Sequence, residues 1–377
     1  MRLGTLAGQH QHAMMAKMDH DDVARQSFVS NFMRDVNTTL HAGLGHLCDP
    51  PGTPASLDQV IGQRKRILAD SYGQMWSSLR RIGREMHTDV VGPAVERQLP
   101  ELIDRARRLR DSNRKLGSLS LDPSIRAPRY NTEIEIHIKP GGYHTDLTED
   151  DVFAGAEYER TTYMNSAGAL GPIQDGLGRD TARWVKRNYP TLKPKRILEM
   201  GCTTGQSTLG WVDEFPDAEV YAIDVGAPVL RYAHARAEAL GRRVHFAQQD
   251  AEKTRFPDNH FDIVCSHAMI HETSVKAMHS ILRETLRILK PGGLMAHNDG
   301  TPFRDLDPLG RVVPDWDTHY NAEPFITTLR ATDLTKWAVA AGWNAKRVRN
   351  GYSHEGPTKG QQINVIGGAG YILIGEK

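Results

Sequence analysis

The chain has 377 residues, 39% of them apolar and 25% charged, and a net charge of +1. That balance is ordinary for a globular protein and gives no whole-chain electrostatic draw toward nucleic acid or an anionic membrane surface. The length points to two structural units, and no run approaches the roughly 18 apolar residues of a membrane span.

Met1–His20 reads as a loose terminus, with polar and histidine residues where a secretory apolar core would stand. A cytoplasmic location is therefore expected. The three cysteines, Cys48, Cys202 and Cys265, are far apart and lack metal-type C-x-x-C spacing. They read as reduced thiols in a reducing compartment.

Asp21–Leu47 is expected to be a helix, since Val23, Phe28, Phe32, Val36 and Leu40 recur at helical spacing. Asp49-Pro50-Pro51-Gly52-Thr53-Pro54 breaks it. Ser56 or Asp58 caps a second long helix through Ile67, Met75, Leu79 and Ile82. A third, Pro93–Leu116, is rich in arginine (Arg105, Arg107, Arg108, Arg110, Arg114). Glu96, Glu101, Asp104 and Asp111 are interspersed and no aromatic side chain accompanies them, so the run reads as a solvated helix face and not as a nucleic-acid surface.

Asn131–Lys139 alternates Ile134, Ile136 and Ile138 with Glu133, Glu135 and His137, a period-two strand pattern stopped by Pro140-Gly141-Gly142. Tyr143–Gly178 is polar and aromatic, and a helix follows at Asp180–Asn188.

The chemistry-bearing part begins at Ile197. A short apolar strand ends in Glu199-Met200-Gly201-Cys202-Thr203-Thr204-Gly205, the pattern E-x-G-x-x-x-G. Gly201 turns the backbone sharply out of the strand, and Gly205 is expected to let it approach a ligand. The helix that follows aims free N–H groups at whatever is bound. A second strand ends at Asp224, placed to accept hydrogen bonds from two ribose hydroxyls. A nicotinamide turn would carry a glycine where Thr203 stands. Val244–Gln248 reads as a third strand, followed by Asp250 and Ala251. Phe261-Asp262-Ile263-Val264 opens a fourth, and Lys290-Pro291-Gly292-Gly293 leads into a fifth at Leu294–His297. Asp333–Ala341 reads as a helix, and Lys346–Tyr352 with Gly370–Gly375 as an antiparallel pair.

This ordered set resembles the class I S-adenosylmethionine-dependent methyltransferases, in their small-molecule branch, over roughly residues 179–377. The resemblance implies an α/β, Rossmann-like seven-stranded sheet with a terminal antiparallel hairpin, joined to an N-terminal, mostly helical region. It implies a domain over 179–377 with a substrate-lid insertion near 298–332, a connecting and cofactor-covering segment over 131–178, and a helical lid or dimer contact over 1–130. S-adenosyl-L-methionine would be the cofactor. Glu199, Gly201, Cys202 and Gly205 would shape the methionine end, Asp224 and Val225 the ribose, Asp250 and Ala251 the adenine. Ser266 would stand at the reaction face, and Tyr158 or Tyr163 would wall the sulfonium.

Methyl transfer needs an aligned, desolvated pocket, and an oxygen or nitrogen acceptor must also lose a proton, for which histidine is well matched. The loop Ser266-His267-Ala268-Met269-Ile270-His271-Glu272 offers His267 as first choice and His271 as second. No metal is expected: His267 and His271 stand at i,i+4 spacing with His297 on the next strand, but the H-E-x-x-H motif is not completed. The acids and aromatics after the fifth strand, Asp315-Trp316-Asp317 and Glu323 among them, read as a substrate lid or as a loop ordered by Trp316. The Asn-Pro-Pro-Tyr run of base-methylating enzymes is replaced by Ser266-His267-Ala268-Met269, which disfavours nucleic acid as substrate. The expected activity is methyl transfer to an oxygen or nitrogen of a small molecule, in specialised metabolism. A non-methylating cofactor-binding protein on the same fold is the alternative, and a homodimer through the N-terminal helices is also expected.

Overall fold

Ile197, Leu198 and Met200 are apolar and fully buried with Glu199 between them, which makes Arg196–Met200 (β2) a strand buried on both faces, the signature of a central parallel strand. The computed structural model describes residue 6, residues 8–353 and residues 370–377. Around β2 lies an eight-stranded sheet in the order β1-β4-β3-β2-β5-β6-β8-β7, with β1 Ser118–Ser120, β3 Glu219–Asp224, β4 His245–Gln248, β5 Phe261–His267, β6 Leu289–Asp299, β7 Val348–Tyr352 and β8 Tyr371–Glu376. Strands β1 to β6 pair in parallel, and β8 runs antiparallel between β6 and β7. The expected seven-stranded sheet and terminal hairpin are present. The eighth strand, β1, comes from the region expected to be helical.

Because β2 is flanked by β3 on one side and β5 on the other, sheet growth reverses there. A crevice opens at the carboxyl ends of these strands, where ligands bind in such sheets.

The N-terminal helices are α1 His20–Asp35, α2 Leu57–Ala69, α3 Ser71–Asp89 and α4 Leu99–Asp111. Asp19 caps α1 and Ser56 caps α2, each in a reciprocal box with the residue three positions on. The long second helix expected from the sequence is broken at Asp70, whose carboxylate accepts from the Tyr72 and Gly73 amides and starts a new helix. A side chain at Gly73 would collide with the Ile67 carbonyl, so the junction is sharp.

The strand expected over Asn131–Lys139 is absent. A short helix spans Arg129–Thr132 and a 3-10 turn spans Ile136–Ile138, with His137 and Ile138 at positive φ. Alternation alone does not make a strand where no neighbouring strand offers its edge, and only Ile136 of the three isoleucines is buried. Residues 1–5 and 7 of the expected loose terminus lie outside the described residues. The rest of it is docked: Met14 is buried and the His10 amide donates to the Pro172 carbonyl.

Two further helices, α5 Phe153–Asn165 and α8 Ala227–Ala239, pack with the N-terminal helices around Val29, Met33, Val91, Val95 and Leu102. Between them come α6 Gly176–Asn188 and α7 Gln206–Glu214, and beyond them α9 Val275–Ile288 covers the sheet. The insertion holds α10 Val312–Tyr320 and α11 Ile326–Ala331. It is seated on α2 and α3: Trp316 meets Trp76 edge-on at 5.9 Å and donates to Ser77, while Arg64 pairs with Asp315 and Arg80 with Asp317. Trp316 thus orders this segment, and some of its polar groups face a cavity.

The centre of this assembly is Glu159 of α5, 2% exposed. His12 Nε2 lies 3.1 Å from its carboxylate, Tyr232 donates to it at 2.6 Å and Arg236 at 3.0 Å. Burial pushes this carboxyl up, but Arg236 and the other donors outweigh burial and hold it far below its ordinary value of 4.5. Its stabilising contribution is full above that ordinary value and falls away as pH drops through the acid range toward the depressed folded value. Glu159→Gln is expected to lower stability by about 3–5 kcal/mol at neutral pH, because Arg236 stays buried without its counter-charge. Denaturant unfolding followed at neutral and acid pH checks this, and the gap between the two proteins should narrow on acidification.

Candidate active site

The turn after β2 is built by backbone constraints. Gly201 has φ +66°, and a side chain there would meet Met269 at 2.6 Å. Gly205 has φ +68°, but what a side chain there would meet is the Phe246 ring of β4. The second glycine thus serves the packing of α7 on the sheet and does not make room for a ligand.

Asp224, at the end of β3, is fixed from two sides: one carboxylate oxygen accepts from the Thr203 amide and the other from the Gly226 amide, both at 2.9 Å. Each oxygen keeps a lone pair for a further donor. Burial raises the Asp224 carboxyl above its usual range, opposed by those amides.

Asp224 lines a cavity together with Gly201, Thr203, Val225, Asp250, Ala251, Met269 and Ile281. Its carboxylate suits a pair of hydroxyls, and its apolar residues suit the faces of a flat base. S-adenosylmethionine fits this donor set: Asp224 would hold the ribose, and Ala251, Met269 and Ile281 would lie against the adenine.

Some expected site residues stand elsewhere. Gly205 is outside this lining, as are Cys202, whose buried thiol is pushed up by desolvation, and Ser266, whose hydroxyl bonds His297 Nδ1 at 2.8 Å. Tyr163 is buried in the N-terminal core beside Met164 and Val152, and Tyr158 lines the cavity instead. Tyr158 and Tyr163 are both in α5 and differ by helical phase, which the sequence of α5 alone does not orient.

Glu199 lies behind the cavity wall: its carboxylate is 2.7 Å from His267 Nδ1 and also accepts from Thr208. His267 Nε2 faces the Trp211 indole N–H at 3.4 Å. Both ring nitrogens of the first-choice base are therefore engaged inside the protein, and His267 presents only its ring surface to the cavity. His297 is buried among Ser266 and Thr285, its pKa lowered to about 3 by burial.

A second cavity adjoins the first, and Tyr143, Tyr158, Ala268 and Glu272 line both. Its walls come from α3, the segment before α5, α5 itself, the loop after β5, the end of β6 and the insertion, among them Arg84, Lys139, Glu157, His271, Asp317 and Glu323. His271, the second-choice base, faces this space. Its Nδ1 lies 2.8 Å from Asp299, and although burial pulls its pKa down, Asp299, Glu323 and Glu272 together raise it to about 9. Arg84 donates to Asn321 and Asn165, Arg80 to Asp317, and Lys139 pairs with Glu157.

Two residues of this second cavity have a place that the sequence left open: His137 reads only as part of an alternating strand, and Glu323 only as one of the acids of the insertion. His137 looks like the outward residue of a strand, and Glu323 comes from an insertion whose docking depends on Trp316. Replacing Glu199 with leucine leaves His267 and Thr208 unpaired in the interior. About 1–3 kcal/mol of stability should be lost for each such group, read as a lower melting temperature of Glu199→Leu.

Residues 197–293 match the family model described as "Methyltransferase domain". An uncharacterized protein of Haemophilus influenzae is 31% identical over 124 residues, covering 32% of this chain and 49% of the relative. The demethylmenaquinone methyltransferase of Thermus thermophilus is 37% identical over 114 residues, covering 29% and 51%. The chain thus spans about half the length of these curated relatives. Among solved structures, phosphoethanolamine N-methyltransferase 2 of Haemonchus contortus, in complex with S-adenosyl-L-methionine, is 20% identical and covers 46% of this chain and 38% of that one, with a TM-score of 0.37. The sheet order, the Gly201 turn and the fixed Asp224 carboxylate agree with the family match: residues 197–293 form a methyltransferase domain.

Proposed function

We propose that the protein transfers a methyl group from S-adenosylmethionine to an oxygen or nitrogen of a small polar molecule, of the kind used in specialised metabolism. The observation that carries this reading is the junction of the two cavities at Tyr143, Tyr158, Ala268 and Glu272. One cavity has the carboxylate and apolar faces that suit the cofactor, and the other is lined by charged and amide groups that suit a polar acceptor.

The bound cofactor supplies an electrophilic methyl group on a sulfonium. The chain's own work is alignment and proton removal. Asp224 and the turn at Gly201 fix the ribose end. Tyr158 and Tyr143, edge to face at 5.4 Å, form the wall between the cavities and exclude water from the transfer path. The acceptor's proton leaves to Glu272 at the junction, beside which His271 stands in the second cavity. Of the two histidines expected to be catalytic, His271 is the one that faces the acceptor space. The N-terminal helices and the insertion close that space, which accounts for chain length beyond a methyltransferase core.

The same reading includes a homodimer through the N-terminal helices, where Phe28, Met75 and Ile82 are exposed apolar side chains. Light scattering of the purified chain should give twice the monomer mass.

S-adenosylhomocysteine should bind the wild-type protein with sub-millimolar affinity in a calorimetric titration. Asp224→Ala removes two charge-assisted hydrogen bonds and should weaken that binding roughly a hundredfold. A wild-type protein that shows no binding would sink the reading.

A further inference from the structure

The second cavity contains a cluster that the sequence did not announce. One ligand atom from each of His137, His271 and Glu323 lies within 4.8 Å of the other two. His137 Nε2 is 3.4 Å from one Glu323 oxygen, and His271 Nε2 is 3.8 Å from the other. Glu272 stands alongside, 3.8 Å from His137 Nε2 and 4.0 Å from His271 Nε2. Bonds of about 2.1 Å to a tetrahedral ion would place neighbouring ligand atoms about 3.4 Å apart, so the cluster needs little closure.

Each imidazole is also held from behind. His271 Nδ1 is 2.8 Å from Asp299, and the His271 amide donates to the same carboxylate at 3.2 Å. His137 Nδ1 bonds the Tyr143 hydroxyl. An imidazole that gives its Nδ1 proton to a carboxylate turns an Nε2 lone pair outward, the arrangement found behind metal-binding histidines. Here both Nε2 atoms turn toward the same carboxylate. His137 adopts φ 59°, uncommon for a residue with a side chain, and is thereby brought out of the strand path and into the cluster.

We propose that His137, His271 and Glu323 hold a divalent transition-metal ion in the second cavity, and that this ion binds the hydroxyl of the methyl acceptor. The assignment rests on the methyl-transfer reading and narrows it to oxygen acceptors. Two imidazoles and one carboxylate suit Zn2+, Mn2+ or Fe2+, and three protein ligands leave coordination positions open for substrate. A hydroxyl bound to the ion is made more acidic. Its proton passes to Glu272, which lines both cavities. The oxygen's electron pair then forms the new bond to the methyl carbon as the carbon–sulfur bond breaks, and the sulfur keeps the pair from that bond.

The test uses the full chain, stripped with a chelator and titrated with Zn2+ and, separately, with Mn2+. One equivalent of at least one ion should bind, and His137→Ala and Glu323→Gln should each weaken uptake about tenfold or more. S-adenosylhomocysteine binding on the same samples should be unchanged, which also shows that the variants are folded. Wild-type protein that binds S-adenosylhomocysteine but neither ion overturns the metal site. Uptake that both folded variants retain overturns it too. Ion uptake without S-adenosylhomocysteine binding upholds the site and removes the methyl-transfer reading. Co2+ added to the wild type gives a readout independent of any variant: visible bands of imidazole ligation support the site, and their absence counts against it.

Discussion

A single buried carboxylate fixes the geometry on which the two cavities depend. Glu159 gathers His12 from the N-terminal segment and Tyr232 and Arg236 from α8. Its backbone carbonyl also accepts from Gln174, just before α6. Three separate stretches of chain therefore converge on one turn of α5. The opposite side of that helix carries Glu157, Tyr158, Thr161, Thr162 and Asn165 to the cavity walls. An ion held by several short hydrogen bonds in a dry interior has little freedom to shift. A helix anchored that way can present Tyr158 at a constant position relative to the turn after β2.

The two cavities divide the work by chemistry. The first is made almost wholly by the sheet's carboxyl ends, where backbone amides aim the Asp224 carboxylate. The second is assembled from parts distant in sequence: Arg80 and Arg84 from α3, His137 from the connecting segment, His271 from the loop after β5, and Asp317 and Glu323 from the insertion. Its charges are mostly matched in place, Arg80 with Asp317 and Lys139 with Glu157. On the proposed reading such a chamber would discriminate among acceptors by where their polar atoms fall, since a misplaced group would leave a buried charge without its partner.

The first cavity was legible in the sequence because its determinants are local. A strand, a glycine at positive φ and an acid at the end of the next strand are separated by fixed intervals, and Gly201, Asp224, Val225, Asp250 and Ala251 stand where those intervals imply. What the sequence could not supply was direction. Glu199 pairs in register with Cys265, and His267 stands two residues further along the neighbouring strand on the same face, so the histidine is held by Glu199 before it reaches a substrate. Tyr163 and Tyr158 differ by helical phase, and only the packing of α5 against the N-terminal core decides which one turns toward the cavity. The isoleucine alternation at 134–138 mimics a strand, yet the segment joins no strand of the sheet, and a different stretch of chain takes the free edge of β4. His137 could be placed only once that segment was seen to turn.

That edge is covered by β1. Ser118–Ser120 pair with His245–Ala247 of β4, and the Leu116 and Gly117 amides just before them are tied to Glu238 of α8. Three residues are enough to cap the parallel side of the sheet. A fragment beginning near residue 179 would keep the family's strands and its glycine turn but bare the hydrogen-bonding edge of β4 to any passing copy. The N-terminal third is thus built into the sheet as its selvedge, and an excised core would be exposed to edge-to-edge self-association.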